Sequence, residues 1–330
     1  MSIDISAKAI PPIRQTYDNV ARRIGEGKPA SRYQEATFDL QATTNFHYRP
    51  LWDKRYDIYD VERTSIVMKD WYAFKDPRQY YYSAYTAVRA KQQEIAEKNY
   101  AFVDQRELLQ ALPAETQRII RQIFVPLRHV EWGANMNNCA ITDFGYGTAI
   151  TQASTFNSLD RLGIAQYLTR ISLILEQNET SGLDAAKQDW LKRDIWQGLR
   201  HVVEDTFVLE DWFETMVAQN VVMDGLVYPL IYQHLVDELL AGGATIMALL
   251  TQFMVEWYAE TERWTNALIK VTAAESEANT ALLSKWADHW NNRVSNALVG
   301  IAEDAFEKDG KERVEQVSHA LVTRLLKQGI

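Results

Sequence analysis

The sequence predicts an all-α protein in which long helices pack as a bundle. From Asp76 onward, apolar residues recur at helical spacing and strand signals nearly vanish. Proline and glycine fall between long periodic segments, and 47% of the 330 residues are hydrophobic, which is ample for a packed core. No repeat of fixed period is visible, so a solenoid is not favoured.

Residues 1–60 are expected to form an extended arm instead. The segments "AIPPIR", "GEGKPASRYQ" and "NFHYRPLW" place proline and glycine where no helix of ordinary length fits. Phe46, Leu51 and Trp52 make this segment too apolar for a solvated tail. We therefore expect an arm over 1–60 that packs on a partner subunit, and a single helical domain over 61–330.

The helices follow one another with short breaks. Asp76 and Pro77 are typical of a helix N-cap and first helical position, which predicts a long helix that ends near Leu112. Pro126 should kink the second helix, and Pro229 should disturb a later one. The expected helical segments are 77–112, 114–141, 148–177, 184–205, 206–240, 242–271, 275–308 and 310–328.

Composition excludes several classes of function. The net charge of −9 disfavours nucleic-acid binding, because an acidic chain is repelled by phosphates. Neither a signal-type apolar run nor a stretch of about 18 apolar residues is present, so we expect a cytoplasmic protein that does not span a membrane. The single cysteine, Cys139, rules out an internal disulfide and is expected to be a small buried core residue.

A metal site can be tested for directly. Long-helix bundles that bind two irons through carboxylates use Glu-x-x-His on two helices, because that spacing aims both side chains at one metal. No Glu-x-x-His occurs at any of the six histidines, and the zinc-protease and nucleotide-binding motifs are also absent. His129 and Glu131 are two residues apart on one helix and should face different directions.

Two segments carry a family resemblance. They are "RPLWDKRYDIYDVERTSIVMKDWYAFKDPRQYYYSAYTAVRAKQQE" and "PLRHVEWGANMNNCAITDFGYGTAITQASTFNSLDRLGIAQY". On these segments the chain resembles the beta subunits of phenol hydroxylases, which are soluble bacterial multicomponent monooxygenases, and the likeness covers essentially the whole chain. The beta subunits of toluene and methane monooxygenases are more distant relatives.

The resemblance implies a ferritin-like, ribonucleotide reductase-like fold without a metal of its own. It also implies a hydroxylase with two copies each of alpha, beta and gamma subunits, in which the alpha subunit holds the di-iron centre. A regulatory protein and a reductase that contains FAD and a 2Fe–2S cluster would serve it. The implied reaction is NADH-driven hydroxylation of phenols and related aromatics by O₂, and the implied cofactor content of this chain is none.

The resemblance also assigns degenerate ligand positions. The alpha pattern would place a first carboxylate at Glu131, while Arg161 and Ile164 would stand where a catalytic chain has its Glu-x-x-His. Arg161 would bring a fixed positive charge, with Glu131 or Glu214 as its partner. The second half would contribute the positions Glu214, Ala248 and Thr251. The alternatives for the two carboxylates are ordinary helix carboxylates, satisfied or exposed, and a residual weak metal site.

The aromatic segment "DWYAFKDPRQYYYSAY" suggests a subunit contact. Three consecutive tyrosines on a helix point about 100° apart, so at least one should leave the interior. Aromatic residues and arginine are enriched at interface hot spots. Together with Phe46, Leu51 and Trp52, the expected contact residues are Trp71, Tyr72, Arg78, Tyr80 and Tyr81, with Arg78 pairing a carboxylate or carbonyl of the partner. The alternative is that all the rings pack within this chain.

Three functions remain open at this point. The favoured one is a structural, metal-free subunit that scaffolds the catalytic subunit of an aromatic hydroxylase. The second is an independent ferritin-like metalloenzyme with atypical ligands, which the missing Glu-x-x-His disfavours. The third is an autonomous binding protein that uses the aromatic cluster as an apolar pocket.

Overall fold

The computed structural model describes residues 16–43 and 52–330, and every regular element within these ranges is helical. The fold is therefore all-α, as the sequence predicts. The α-helices are α1 Asp18–Ile24, α2 Arg32–Glu35, α3 Tyr82–Gln105, α4 Ala114–Ile119, α5 Leu127–Phe144, α6 Thr148–Leu175, α7 Ser181–Lys192, α8 Asp194–Thr206, α9 Trp212–Met216, α10 Asp224–Tyr228, α11 Val236–Ala241, α12 Thr245–Leu250, α13 Gln252–Glu275, α14 Glu277–Phe306 and α15 Gly310–Leu326.

The first long helix starts later than the sequence predicts. It begins at Tyr82, because the Asp76 carboxylate is used by the backbone N–H and guanidinium of Arg78 rather than by a helix N-terminus. Gln79 has a φ of 51°, which interrupts any helix from Pro77. The same helix ends at Gln105, before the expected Leu112.

Both predicted proline disturbances are confirmed. A π-helical turn over Ile120–Phe124 precedes Pro126, and α5 begins directly after that proline. A second π segment, Pro229–Leu235, begins at the other proline. Proline lacks the N–H that a regular helix would use at these positions.

A continuous helical rod runs from Trp212 to Ala241. It consists of α9, a π segment over Val217–Met223, α10, the π segment over Pro229–Leu235 and α11. The Asp211 carboxylate caps its start by accepting hydrogen bonds from two backbone N–H groups. Because π turns hold more residues than α turns, they change which side chains face the centre of the bundle.

The core of the bundle is formed by α5, α6, the rod and α13. Helices α5 and α6 are antiparallel and share the most extensive contact in the fold, while α14 packs along α8, α15 and the rod. Large aromatic residues fill the interior, and five tryptophans are almost completely buried: Trp196, Trp212, Trp257, Trp264 and Trp290.

The described part of the N-terminal arm packs on its own chain. Val20, Tyr33 and Phe38 belong to the same hydrophobic core as the bundle. Arg23 pairs with both Asp39 and Asp70, which connects the arm to the aromatic segment. The hydrophobic core is therefore continuous between these residues and the bundle. The predicted anchors Phe46 and Leu51 lie outside the described residues.

Cys139 is exposed, so the prediction of a buried core residue is wrong. The reason is an inverted polarity on α5. Asn135, Asn137 and Asn138 are buried, while Trp132, Met136 and Cys139 point outward. Within the described ranges, no helix combines the length and apolar character that crossing a membrane requires.

Two glycines in opposite environments test this packing. A Cβ at Gly310 would lie 2.4 Å from backbone atoms of Ala302 and Glu303, whereas a Cβ at Gly163 would meet nothing within 4 Å. We expect Gly310→Ala to destabilise the isolated chain by about 1–3 kcal/mol through overpacking. Gly163→Ala should stabilise it by up to about 1 kcal/mol through helix propensity. Chemical denaturation of both variants checks this, and equal effects would contradict the packing described.

Candidate functional site

The centre of the bundle holds a buried guanidinium. Arg161 on α6 has a side chain that is 1% exposed and lies between Glu131 on α5 and Asp224 on α10. Its Nη1 donates to Glu131 Oε2 at 2.9 Å, and its Nη2 pairs with Asp224 Oδ2. One cation thus joins three helices through two carboxylates.

Every carboxylate oxygen of this cluster has a donor. The Tyr228 hydroxyl donates to Glu131 Oε1 at 2.8 Å, and Gln219 Nε2 donates to Asp224 Oδ1 at 3.1 Å. The guanidinium also lies over the ring of Trp257, 4.2 Å from its centroid, which adds a cation–π contact. A buried ion cluster is tolerated only when its opposite charges are paired in this way, because desolvating each charge is costly.

Burial dominates the titration of the cluster. Burial raises the pKa of Glu131, and the nearby positive charge of Arg161 opposes this rise only in part. Burial likewise raises the pKa of the Asp224 carboxyl, and the charge of Arg161 again opposes the rise only in part. For Arg161, burial alone would lower the pKa, but Asp224, Tyr228 and Glu131 outweigh it and raise it, so the guanidinium stays charged.

The donor set of the cluster does not suit a di-iron centre. Such a centre needs carboxylates and imidazoles with free lone pairs, whereas a guanidinium offers only N–H donors. Arg161 already occupies both carboxylates with its own positive charge. Among the residues that the structure describes, no group of three or more His, Cys, Asp or Glu is placed to hold a metal ion.

Buried amide side chains extend the polar interior beyond the charged cluster, along α5, α6 and the rod; we call them the amide seam. Asn138 and Asn157 both donate to Asn220 Oδ1, at 3.0 and 2.9 Å. Asn137 donates to Gln219 Oε1 at 2.9 Å, and Gln219 in turn donates to Asp224. Asn137 therefore connects to the charged cluster through Gln219, and the amide hydrogen bonds together set the register of the three elements.

A second ion cluster links α3 to the same centre. Asp160 accepts hydrogen bonds from Arg89, from the Tyr85 hydroxyl and from Trp257 Nε1. Trp257 therefore contacts Asp160 through its N–H and Arg161 through its ring. Tyr85, the last residue of the aromatic segment, in this way ties that segment to the bundle centre.

The structure brings together only part of the predicted ligand set. Glu131 and Arg161 are paired, and Ile164 is fully buried on the same helix. The partner of Arg161 is thus Glu131 and not Glu214, whose carboxylate accepts from Trp290 Nε1 at 3.0 Å. Two further predicted positions also lie apart from the cluster contacts: Ala248 packs on the core, and the Thr251 hydroxyl donates to a backbone carbonyl.

Sequence reasoning missed Asp224 and Tyr228. A usable signal existed, because Asp224 is the only charge in the apolar run "VVMDGLVYPLIY". A lone carboxylate in such a run must be buried, and a buried carboxylate needs a partner.

The predicted separation of His129 from Glu131 is confirmed. The His129 ring stacks on Trp190, and burial lowers its pKa to about 4.

The aromatic segment is mostly interior. Trp71, Tyr72 and Tyr80 are buried, and Tyr81 is half-buried against the core. The tyrosine that leaves the interior is Tyr82, which is 77% exposed.

The partner predicted for Arg78 is wrong in this structure. Its guanidinium is 1% exposed and pairs with Asp76 of the same chain at 2.8 Å. It also lies over the rings of Tyr80 and Trp264, at 5.0 and 5.3 Å from their centroids. Because the side chain is buried, it does not reach a surface where a carboxylate of another subunit could pair with it. Of the predicted contact residues described, only Trp52 is largely exposed, at 61%.

These features define a ferritin-like helical bundle whose centre holds a salt-bridged arginine. Its backbone superposes on the toluene 4-monooxygenase hydroxylase with a TM-score of 0.74 at 19% identity, covering 96% of this chain and 99% of that chain, which establishes the fold. The chain belongs to the methane/phenol/alkene hydroxylase family, whose model matches residues 52–276.

Individual relatives match over nearly the full length. The chain is 48% identical to the phenol 2-monooxygenase oxygenase component DmpL of Pseudomonas sp. (strain CF600), over 100% of this chain and 98% of that protein. It is 41% identical to the component MhpL of Acinetobacter pittii (strain PHEA-2), with the same coverage. A crystal structure of xenon-pressurised phenol hydroxylase from Pseudomonas sp. OX1 matches with a TM-score of 0.93 at 45% identity, covering 99% of this chain and 98% of that chain. The resemblance to phenol hydroxylases is confirmed.

We expect removal of the buried guanidinium to lower the stability of the folded chain strongly. Arg161→Met should destabilise the chain by about 3–5 kcal/mol, because it leaves two buried carboxylates without a counter-charge. Their pKa values in the folded state would then lie further above those in the unfolded state. Protonation of these carboxylates would favour folding. The decrease in the free energy of unfolding should therefore be largest near pH 8 and become smaller as the pH falls toward 5. Urea unfolding at several pH values measures it.

A matched variant separates charge from shape. Adding Glu131→Gln and Asp224→Asn to Arg161→Met removes the uncompensated charges, so most of the pH dependence should disappear. An Arg161→Met loss that is small or independent of pH would contradict the role assigned to the cluster.

Proposed function

We propose that this chain is a metal-free beta subunit in the hydroxylase component of a phenol-type monooxygenase, where it scaffolds the catalytic subunit. Two of its relatives are named as oxygenase components of phenol 2-monooxygenases. A third, 24% identical over 93% of this chain and 92% of that protein, is named as the beta subunit of the toluene-4-monooxygenase hydroxylase component from Ectopseudomonas mendocina.

The observation that carries the proposal is the position of Arg161. A guanidinium between the two buried carboxylates repels metal cations and occupies the oxygens that would bind them. A metal ion could enter only if this side chain left, and it would then have to replace its hydrogen bonds and its contact with Trp257. This disfavours the alternative of an independent metalloenzyme with atypical ligands.

The helices that the cluster joins support the proposed scaffolding role. Glu131, Arg161 and Asp224 lie on three different helices, and Trp257 lies on a fourth. Their mutual pairing fixes the spacing of these helices without a metal. A subunit with no reactive centre of its own can then present a rigid surface to a catalytic partner.

The proposal includes the remainder of the complex. The alpha subunit would hold the di-iron centre, gamma would complete the hydroxylase, and a regulatory protein and a FAD and 2Fe–2S reductase would act on it. This chain would hold none of these cofactors. Trp52, with its exposed indole, and the arm up to residue 60 remain proposed contact regions for the partner.

Iron analysis tests the proposal. The chain should be produced alone and together with the catalytic subunit of the same hydroxylase, then loaded with iron anaerobically. We expect no stoichiometric iron in the isolated chain, while the two chains co-purify and all iron of the complex stays with the partner after dissociation. A bridged di-iron spectrum from the isolated chain would contradict a metal-free role.

A matched pair of variants sharpens the result. Arg161→Glu combined with Ile164→His places Glu-x-x-His at the aligned positions, whereas Ile164→His alone keeps the guanidinium. If Arg161 is what excludes the metal, only the double variant should gain iron affinity, as measured by metal titration.

A further inference from the structure

The outer side of the α5–α6 hairpin includes long stretches without charge. In 132–142 of α5 and 148–169 of α6, the charged residues are Asp160 and Arg161, and both are buried. Charged residues make up 24% of the whole chain. Every exposed or half-buried position in these two stretches is therefore neutral, which is unusual for a surface in contact with water.

Large apolar side chains occupy this neutral surface. Trp132 is 54% exposed, Met136 45%, Leu159 49% and Leu162 42%, and Cys139 is also exposed. We call these five residues the neutral face. Depletion of charge combined with exposed aromatic residues and methionine is the composition of the buried centre of a protein interface.

The register of the hairpin makes these residues neighbours. Glu131 pairs with Arg161, and Asn135 donates to the carbonyl of Ser158. Trp132 therefore lies near the level of Leu162, and Met136 near that of Leu159. The apolar side chains form one patch rather than separate exposed residues, and such a patch marks an interaction site.

The dimensions suit a stable contact. The neutral stretch of α6 spans 22 residues, from 148 to 169, which is about 33 Å at the rise of an α-helix. The neutral stretch of α5 spans 11 residues, from 132 to 142, which is about 16 Å, so at a helix width of about 10 Å the two stretches together offer about 500 Å² to a partner. A standard interface buries about 800 Å² on each side, so the two neutral stretches would supply more than half of one.

We infer that the neutral face is the docking surface for the catalytic subunit of the hydroxylase, which would present an equally uncharged, apolar helical surface. The inference rests on the proposed function, because that function supplies a permanent partner. The partner surface must be neutral because a charge facing these residues would be desolvated without a counter-ion. The contact residues predicted from the sequence lie elsewhere, in the arm and the aromatic segment.

The buried cluster supports this surface from beneath. Glu131 and Arg161 immediately precede Trp132 and Leu162 in the chain. The salt bridge that fixes the separation of α5 and α6 thereby fixes the spacing of the apolar side chains outside. The interior and the docking surface are two sides of one helix pair.

The chain's single cysteine reports on the surface directly. Maleimide labelling of Cys139, read by mass spectrometry, should be rapid in the isolated chain and at least about tenfold slower in the assembled hydroxylase. Equal rates would overturn the inference. Protection of the isolated chain that grows with its own concentration would also overturn it, because a second copy would then be the occupant.

Surface variants give an independent test. Leu162→Arg places a charge on the face, and Gly163→Trp adds bulk where a new Cβ meets nothing within 4 Å, so both should fold. Leu326→Arg, at a 68% exposed position on α15, is the matched control. We expect the first two to lower affinity for the catalytic subunit by about tenfold or more, with unchanged helicity. Assembly equal to that of the control would overturn the inference.

The two proposals fail in different ways. If the wild-type chain co-purifies with the catalytic subunit while Cys139 stays fully reactive, the subunit role stands and the docking surface is wrong. If the wild-type chain does not associate with that subunit at all, the proposed function itself is wrong.

Discussion

A single guanidinium between two carboxylates is the constraint on which the rest of this structure depends. Arg161 is fully buried, so its charge is tolerated only because Glu131 and Asp224 pair with it and Tyr228 and Gln219 complete their hydrogen bonds. These groups come from α5, α6 and the rod. The π segments of the rod, the amide seam beside the cluster and the contact with Trp257 all serve to bring the partners to one point.

This arrangement is the basis of the proposed metal-free role. In a ferritin-like bundle the centre is where a metal site would lie, and here a side chain supplies the positive charge. A covalently attached cation cannot be lost, exchanged or reduced. The bundle is thereby held together as a rigid body, and its outer surfaces become available for assembly. The uncharged outer side of α5 and α6 fits that use, because the same two helices carry Glu131 and Arg161 inside.

The sequence predicts the all-α class and the proline disturbances, because these depend on local periodicity. The placement of Glu131 near Arg161 came from the family resemblance, which left Glu214 open as the alternative partner. Asp224 could not be placed from Glu214 by helical spacing, since a π segment between them changes the phase of the rod. The late start of α3 depends on Arg78, which takes the Asp76 carboxylate through a contact that no cap motif reveals. Cys139 was misplaced because buried amides invert the polarity of α5, and amides are buried only when other helices supply their partners.

The most direct test is a crystal structure of the assembled hydroxylase with anomalous diffraction recorded at the iron absorption edge. We predict continuous side-chain density for Arg161 between Glu131 and Asp224, with no anomalous peak in this subunit and strong peaks in its partner. An iron peak among Glu131, Asp224 and Tyr228, with the Arg161 side chain displaced, would contradict the central claim.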